Sequence, residues 1–236
     1  IQDTHEDPIL QGATQLHGQQ AGESFETLTY LTLRAGTNVV YANGSARNAV
    51  NTKISLGKLR SAVRTLNKNK CRKKTSILAP SVNYKTQAIE AAYVAVCHTD
   101  LEPDIRDLAG FVPVSQYGSR QPICPQEFGS VENVRFITTT IATPFADAGG
   151  LDGDAVLSTT GTNADVYPVL IFGEDAYGTV ALKGKESAEI LVRNPGKPEK
   201  GNELGQVGSV GWKGWHVATR LNEAWMVRLE VAATLL

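Results

Sequence analysis

The stretch PILQGATQLHGQQAGESFETLTYLTLR, Pro8–Arg34, decides how the rest of the chain has to be arranged. Apolar side chains recur at Ile9, Leu10, Ala13, Leu16, Ala21, Phe25, Leu28 and Leu31. That is broadly the three-and-four spacing of one helical face, interrupted by Gly12, Gly18 and Gly22. Asp7 suits an N-cap, and Pro8 suits the first helical position, where a missing N–H costs nothing. Gly36 suits a left-handed cap at the far end. The spacing predicts a single helix about 40 Å long at about 1.5 Å per residue. An apolar stripe on such a helix needs a sheet or other helices against it. The pattern fits either a core helix of an α+β domain or a spine that ties two subdomains together.

Downstream, Asn38–Ala42 reads as a strand closing on an Asn43-Gly44 turn. Ser55 caps a second helix to about Lys70, with Leu56, Leu59, Val63 and Leu66 as its stripe. A strand follows at Ser76–Leu78, then a loop through Pro80. Ala91–Cys97 is a compact apolar run, the pattern of a buried strand. It feeds a short helix from about Leu101 to Leu108, capped by Thr99 or Asp100 and closed by Gly110. Phe111–Gln126 is loop-like, Val134–Ile141 reads as a strand, and the polar segment Asp147–Asp165 as an exposed, mobile loop. In the strand Val166–Phe172, Pro168 argues for an edge or a strand start. Thr179–Leu182 and Glu189–Val192 are short strands, and Asn194–Gly208 is a loop. Period-two alternation over Trp215–Leu221 and Trp225–Val231, around Asn222-Glu223, predicts a hairpin whose buried face covers the first helix. The two chain ends would then share one subdomain, with the middle as an excursion.

The 236 residues suffice for one large domain or two small ones, and composition is that of an ordinary globular protein. No apolar run reaches membrane-span length and no signal-peptide pattern opens the chain. The first residue is Ile1 and not Met, as expected of a processed chain or a piece of a longer one. Three irregularly spaced cysteines, Cys71, Cys97 and Cys124, argue against a disulfide framework and for a reducing compartment. The net charge of −1 hides a segregation. Between Thr27 and Ile89 there is no acidic residue, while Arg34, Arg47, Lys53, Lys58, Arg60, Arg64, Lys68, Lys70, Arg72, Lys73, Lys74 and Lys85 all fall there. From Glu90 to Asp165 the balance reverses, with only Arg106, Arg120 and Arg135 against eleven acidic residues. A basic block suits a polyanion; a basic block followed by an acidic one also suits head-to-tail contact between identical copies; and a charge run is in many proteins only a solvated face.

No catalytic, cofactor-binding or metal-binding residue is assigned. Cys97, His98 and Asp100 superficially suggest a thiol and its base, but adjacent residues on a strand point to opposite faces. Gly205, Gly208, Gly211 and Lys213 lack the Gly-Lys-Ser/Thr ending and the following helix of a phosphate loop. Asp152-Gly153-Asp154 is too short for a calcium loop. His5, His17, His98 and His216 form no metal spacing, and Glu102, Asp104 and Asp107 read as a solvated helix face. Nothing here argues for an enzyme.

An ordered set of short stretches carries a resemblance that covers nearly the whole chain. They are Asp3-Thr-His-Glu-Asp-Pro8, Ala35-Gly-Thr-Asn38, Tyr41-Ala-Asn-Gly44, Ala46-Arg-Asn-Ala-Val50, Ala92-Tyr-Val-Ala-Val96, Asp104-Ile-Arg-Asp107, Gly110-Phe-Val-Pro113, Tyr117-Gly118, Val166-Tyr-Pro-Val-Leu170, Asp175-Ala-Tyr-Gly178 and Gly208-Ser-Val-Gly-Trp-Lys-Gly-Trp215. Together they resemble the major capsid protein family of N-four-like tailed phages, a branch of the Hong Kong-type capsid fold. The resemblance implies an α+β chain with no catalytic residues. Its spine helix and β-hairpin would form a peripheral domain (1–50 and 187–236), and its central α/β excursion an axial domain (51–186). It further implies self-assembly into hexameric and pentameric capsomers of an icosahedral virion shell around double-stranded DNA. Assembly would take place in the bacterial host cytoplasm, with scaffold, portal and decoration proteins as further partners and no cofactor, metal or membrane. Charge blocks would meet across neighbouring subunits. The N-terminal arm and extended loop normal to that family do not precede the helix in this sequence. Rival readings are a nanocompartment shell around protein cargo, a nucleic-acid-binding module using Lys53–Lys74, and an enzyme using Cys97.

Overall fold

A computed structural model describes residues 9–78, 86–153, 155–180, 188–196, 198 and 200–236. In chain order the elements are α1 (Ile9–Arg34), β1 (Val39–Tyr41), α2 (Leu56–Lys68), β2 (Lys74–Leu78), β3 (Thr86–Cys97), α3 (Glu102–Arg106), β4 (Phe111–Pro113), β5 (Glu127–Val131), β6 (Val134–Thr138), β7 (Val166–Phe172), β8 (Tyr177–Val180), β9 (Ala188–Arg193), β10 (Ser209–Gly214), β11 (Val217–Arg220) and β12 (Met226–Ala232). The Asp7 cap, Pro8, the Asp3–Pro8 stretch, Pro80, Lys85, Asp154 and the end of the expected strand at Leu182 lie outside the described residues.

Two compact units divide the chain. One comprises 1–31 and 179–219, the other 32–178 and 220–236. β1 and β12 lie in one sheet with β3 and β7, all in the second unit.

The larger unit is built on an eight-stranded mixed sheet in the order β1-β12-β7-β3-β6-β5-β4, with β2 against the first half of β3. β12 runs parallel to β1 and antiparallel to β7, and β3 runs antiparallel to β7 and parallel to β6. α2 forms where expected. The Ser55 hydroxyl accepts the Lys58 amide at 3.4 Å, and Leu59, Ala62 and Leu66 point into the sheet. There they join a cluster with Tyr93, Phe136, Tyr167, Val169, Val227 and Leu229. Leu59 and Leu66 are fully out of water, which contributes about 2 kcal/mol each.

Three expectations fail for identifiable reasons. The terminal hairpin does not form: β12 lies inside the large sheet, and β11 pairs with β8. Alternation misleads here because both faces of β12 are covered. Arg228 and Glu230, which the pattern assigns to solvent, are buried. Pro168 sits not on an edge strand but in β7, between β12 and β3. It is tolerated because the pairing of β3 stops at Leu170, opposite Val96, so no ladder partner on that side needs the missing N–H. Gly36 is not left-handed. Its constraint is space, since a Cβ there would lie 3.0 Å from both Glu223 Oε1 and Met226 Cε.

The C-terminal carbonyls of α1 are instead taken by arginines. Arg220 donates to the Thr32 carbonyl, and Arg228 to the Arg34 carbonyl and, at 2.9 Å, to that of Gly36. Cations belong at this end of the helix dipole. Glu230 is wholly buried and accepts from Arg47 Nε and Nη2 (2.9 and 2.8 Å) and from Arg228 Nε (2.8 Å). The guanidinium of Arg47 stacks 3.5 Å from the centre of the Phe145 ring.

Phe145 lies two residues before Asp147–Asp165, the segment expected to be an exposed loop, and that expectation also needs correction. Asp165 is fully buried and accepts the amides of Asp147 and Thr159 and the Thr159 hydroxyl at 2.7–2.9 Å. Val156 and Ala164 pack against Ala232 of β12. The segment looks polar because its carboxylate serves the loop's own backbone and not water.

The smaller unit contains most of α1 and the antiparallel ribbon of β9 and β10, in register from Ala188–Gly214 to Arg193–Ser209. Phe25 stacks on His216 (centroids 5.1 Å apart) and meets Trp212 edge-on (5.7 Å), and the Thr29 hydroxyl is 2.8 Å from His216 Nε2.

Candidate interaction surfaces

The residues with superficially catalytic spacing do not assemble. Cys97 is buried in the main cluster, its thiol 3.6 Å from the Ile137 carbonyl, and burial pushes its pKa up, away from the reactive thiolate. The His98 ring lies 5.5 Å from that of Tyr167. Its Nδ1 accepts the Asp100 amide at 3.2 Å, so His98, and not Thr99 or Asp100, caps the turn into α3. Asp100 also accepts the Tyr167 hydroxyl at 2.8 Å. Lys213, after the glycines, lies in β10 and pairs with Glu189 at 3.1 Å. Among the described residues no three His, Cys, Asp or Glu side chains could hold a metal ion, and no helix is long and apolar enough to cross a membrane.

Of Glu102, Asp104 and Asp107, read from the sequence as a solvated helix face, Asp104 alone departs from that reading; the Asp107 side chain is 73% exposed and Glu102 pairs with Arg106. Asp104 is buried and receives the Thr234 amide (2.9 Å) and hydroxyl (2.6 Å), while Lys53 lies 3.8 Å from it and 3.6 Å from Asp107. No sequence signal links positions 104 and 234, whose partnership exists only in the fold. The two charge blocks therefore meet partly within one chain. Arg60 is a second case, with its Nη2 2.5 Å and its Nε 2.8 Å from Glu132 Oε1, which holds the guanidinium pKa above its ordinary value.

What remains of the basic block is concentrated on α2. Arg60, Arg64 and Lys68 are exposed and follow one another at four-residue spacing, with the half-exposed Lys58 in the first turn, off that row. Like charges at that spacing destabilise a helix by about 0.2–0.5 kcal/mol per pair, and α2 contains no acidic residue to offset them. Lys58 and Arg60 also stand near the positive end of the helix dipole, where acids are favoured. Among the described residues Lys58, Arg64 and Lys68 make no ion pair; Arg60 alone is relieved, by Glu132. Between these cations the face presents Gly57, Ser61 and Thr65 and no apolar side chain.

The smaller unit has the opposite character. Ala21 and Tyr30 alone among its described apolar residues are buried. Leu16, Leu28 and Leu31 of α1, three of the positions expected on its covered stripe, are 66%, 51% and 42% exposed. Ile190, Leu191 and Val192 of β9, with Val180, Leu204, Val207, Trp215 and Val217, are exposed as well. A cavity of about 550 Å³, lined by Val192, Arg193, Asn194, Lys200, Asn202 and Val207, opens at the end of the β9–β10 ribbon. This unit has too little interior to be explained as a self-sufficient domain.

A sequence profile described as phage capsid protein matches residues 2–229. No curated protein sequence matches the chain. The fold is similar to that in the capsid of Ralstonia phage GP4 (TM-score 0.58, 13% identity, 89% of this chain and 64% of that one). It is also similar to the capsid structure of the cyanophage P-SCSP1u (0.53, 13%, 97% and 67%) and to a structure of Mycobacterium phage Che8 (0.50, 11%, 92% and 61%). The chain thus spans 61–67% of the length of these relatives. At such identities the likeness is one of fold: a mixed α+β architecture with a long helix and a large sheet.

Proposed function

The chain belongs to the phage capsid protein family, and on that premise we propose that it is the shell-building subunit of a tailed double-stranded DNA phage. It assembles with copies of itself into hexameric and pentameric capsomers of an icosahedral virion shell, in the host cytoplasm. The observation that supports this best is the exposed apolar surface of the smaller unit, Leu16, Leu28, Leu191 and Val192 above all, set against the well-buried core of the larger. Covering half-exposed leucines returns about 1 kcal/mol each, so no single contact is strong. Many such contacts summed over a closed surface make a stable shell from weak joints. In this reading the smaller unit takes the peripheral role and the larger the axial one. The work is mechanical, and Cys97 is a packing residue. Portal, scaffold and decoration proteins would be further partners in the same assembly.

Electron microscopy and sedimentation of the full gene product expressed in bacteria test this directly. Uniform closed shells or capsomer rings are expected, and Leu16→Ser with Leu191→Ser should abolish them while leaving the circular dichroism of the monomer unchanged. A wild-type protein that stays monomeric at high concentration would overturn the assignment. Shells filled with protein and free of nucleic acid would identify a nanocompartment instead.

A further inference from the structure

We propose that the exposed face of α2 is a binding surface for duplex nucleic acid, contacting phosphates through Lys58, Arg64 and Lys68 without reading sequence. The proposal extends the capsid reading by assigning the shell's contact with its packaged DNA to one helix face. The stacked cations of α2 oppose the helix they sit on, and among the described residues only Arg60 has a carboxylate partner, Glu132. A helix that sustains such a ladder is matched to an external anion. The face also excludes the other candidate partners. It shows Gly57, Ser61 and Thr65 between the cations and no apolar side chain, whereas the centre of a protein–protein interface is depleted of charge and rich in aromatic and aliphatic anchors. Arg, Lys, Ser and Thr are the side chains that contact phosphates. Without an aromatic on the face there is no platform for unstacked bases, so the ligand is a duplex and not a single strand. The opposite face of α2 is committed to the core through Leu59, Ala62 and Leu66, which leaves this one for the ligand.

The test is binding of the purified full chain to labelled duplexes of unrelated sequence, by fluorescence anisotropy across a salt series. The affinity should be independent of sequence. The triple variant Lys58→Ala, Arg64→Ala, Lys68→Ala should bind at least tenfold more weakly at low salt, and its log–log salt slope should shrink by about 0.9 for each lost phosphate contact. A charge-matched control, Arg193→Ala, Lys200→Ala, Lys213→Ala, should bind as wild type does. Equal loss in the control or an unchanged slope in the α2 variant would each overturn the proposal. Circular dichroism should show both variants folded, since all six side chains are at the surface. Shell formation is scored on the same samples. Shells with wild-type DNA binding in the α2 variant sink this inference alone, and α2-dependent DNA binding without shells sinks the capsid assignment alone.

Discussion

Glu230→Ala should be among the most damaging single substitutions in the chain. The carboxylate is fully buried and accepts three charge-assisted hydrogen bonds, two from Arg47 and one from Arg228. Removing one partner of a buried ion pair costs about 3–5 kcal/mol, because the remaining charge stays desolvated. Two features hold the value to the lower end of that range. Arg228 keeps the carbonyl oxygens of Arg34 and Gly36, and the Arg47 side chain, 32% exposed, can turn partly to water. The expected loss is therefore about 3 kcal/mol. In urea this moves the unfolding midpoint down by about 1.5 M for a slope near 2 kcal/mol/M, and the thermal midpoint down by about 6–12 °C. Far-UV circular dichroism reads both. Glu230→Gln, which keeps one acceptor oxygen, should lose roughly half as much. A loss below about 1 kcal/mol in the alanine variant would refute the reasoning, because it would mean that water reaches both guanidinium groups and that β12 does not lie inside the sheet.

Two further outcomes follow from the packing. Gly149→Ala would place a Cβ 2.3 Å from the Val50 carbonyl and 2.7 Å from that of Ala164, and should cost about 2–3 kcal/mol in chemical denaturation. Gly57→Ala, on open helix surface, should instead stabilise by about 0.5–1 kcal/mol. The fold should also be alkali-labile. Burial raises the pKa values of Cys97 above 9.0 and of Tyr167 above 10.0, and pushes Tyr117 up to about 12. The native state therefore holds protons that the unfolded chain releases from about pH 9 upward. Stability is full below that pH and falls as pH rises through 9–12. Tyr117→Phe should flatten the upper part of the decline in pH-dependent melting; an unaltered curve would contradict the burial of that hydroxyl.

α2 is legible from sequence almost to the residue because its cap, its stripe and its polar face all act within a few turns. The runs at β3, β6 and β7 are legible as strands because apolar, β-branched sequence has few other uses. What could not be read depends on partners far along the chain. Arg228 and Glu230 carry the alternation of a half-exposed strand, and only Arg47 and the carbonyls at the end of α1 make their burial possible. Asp165 looks like loop chemistry until its three donors are seen. β5, with Gly129 at its centre, lacks a strand signature. Its glycine is required because the Phe111 ring would lie 2.3 Å from a Cβ. The stripe of α1 is misread for the reason that bears most on function: Leu16, Leu28 and Leu31 are apolar without being core. The charge segregation was plain in the sequence, but not that Glu132 neutralises one rung of the α2 ladder and Asp104 and Asp107 attend Lys53.

Along its main strand order the large sheet ends on β1 and β4, each three residues long, and β4 finishes on Pro113, while the five-residue β2 flanks β3 off that path. The β9–β10 ribbon, with six residues a side, has no further strand beside it among the described residues. In the proposed shell, where copies would pack at high density, this sets how errors arise. The stubby borders at β1 and β4 give a passing chain too few backbone groups to zip onto, so the sheet resists fibre growth at those two ends. The ribbon offers a longer template with the apolar run Ile190, Leu191 and Val192 on it. Off-pathway clumping during overproduction would then start there, and a lysine placed at Leu191 would act as a gatekeeper against it.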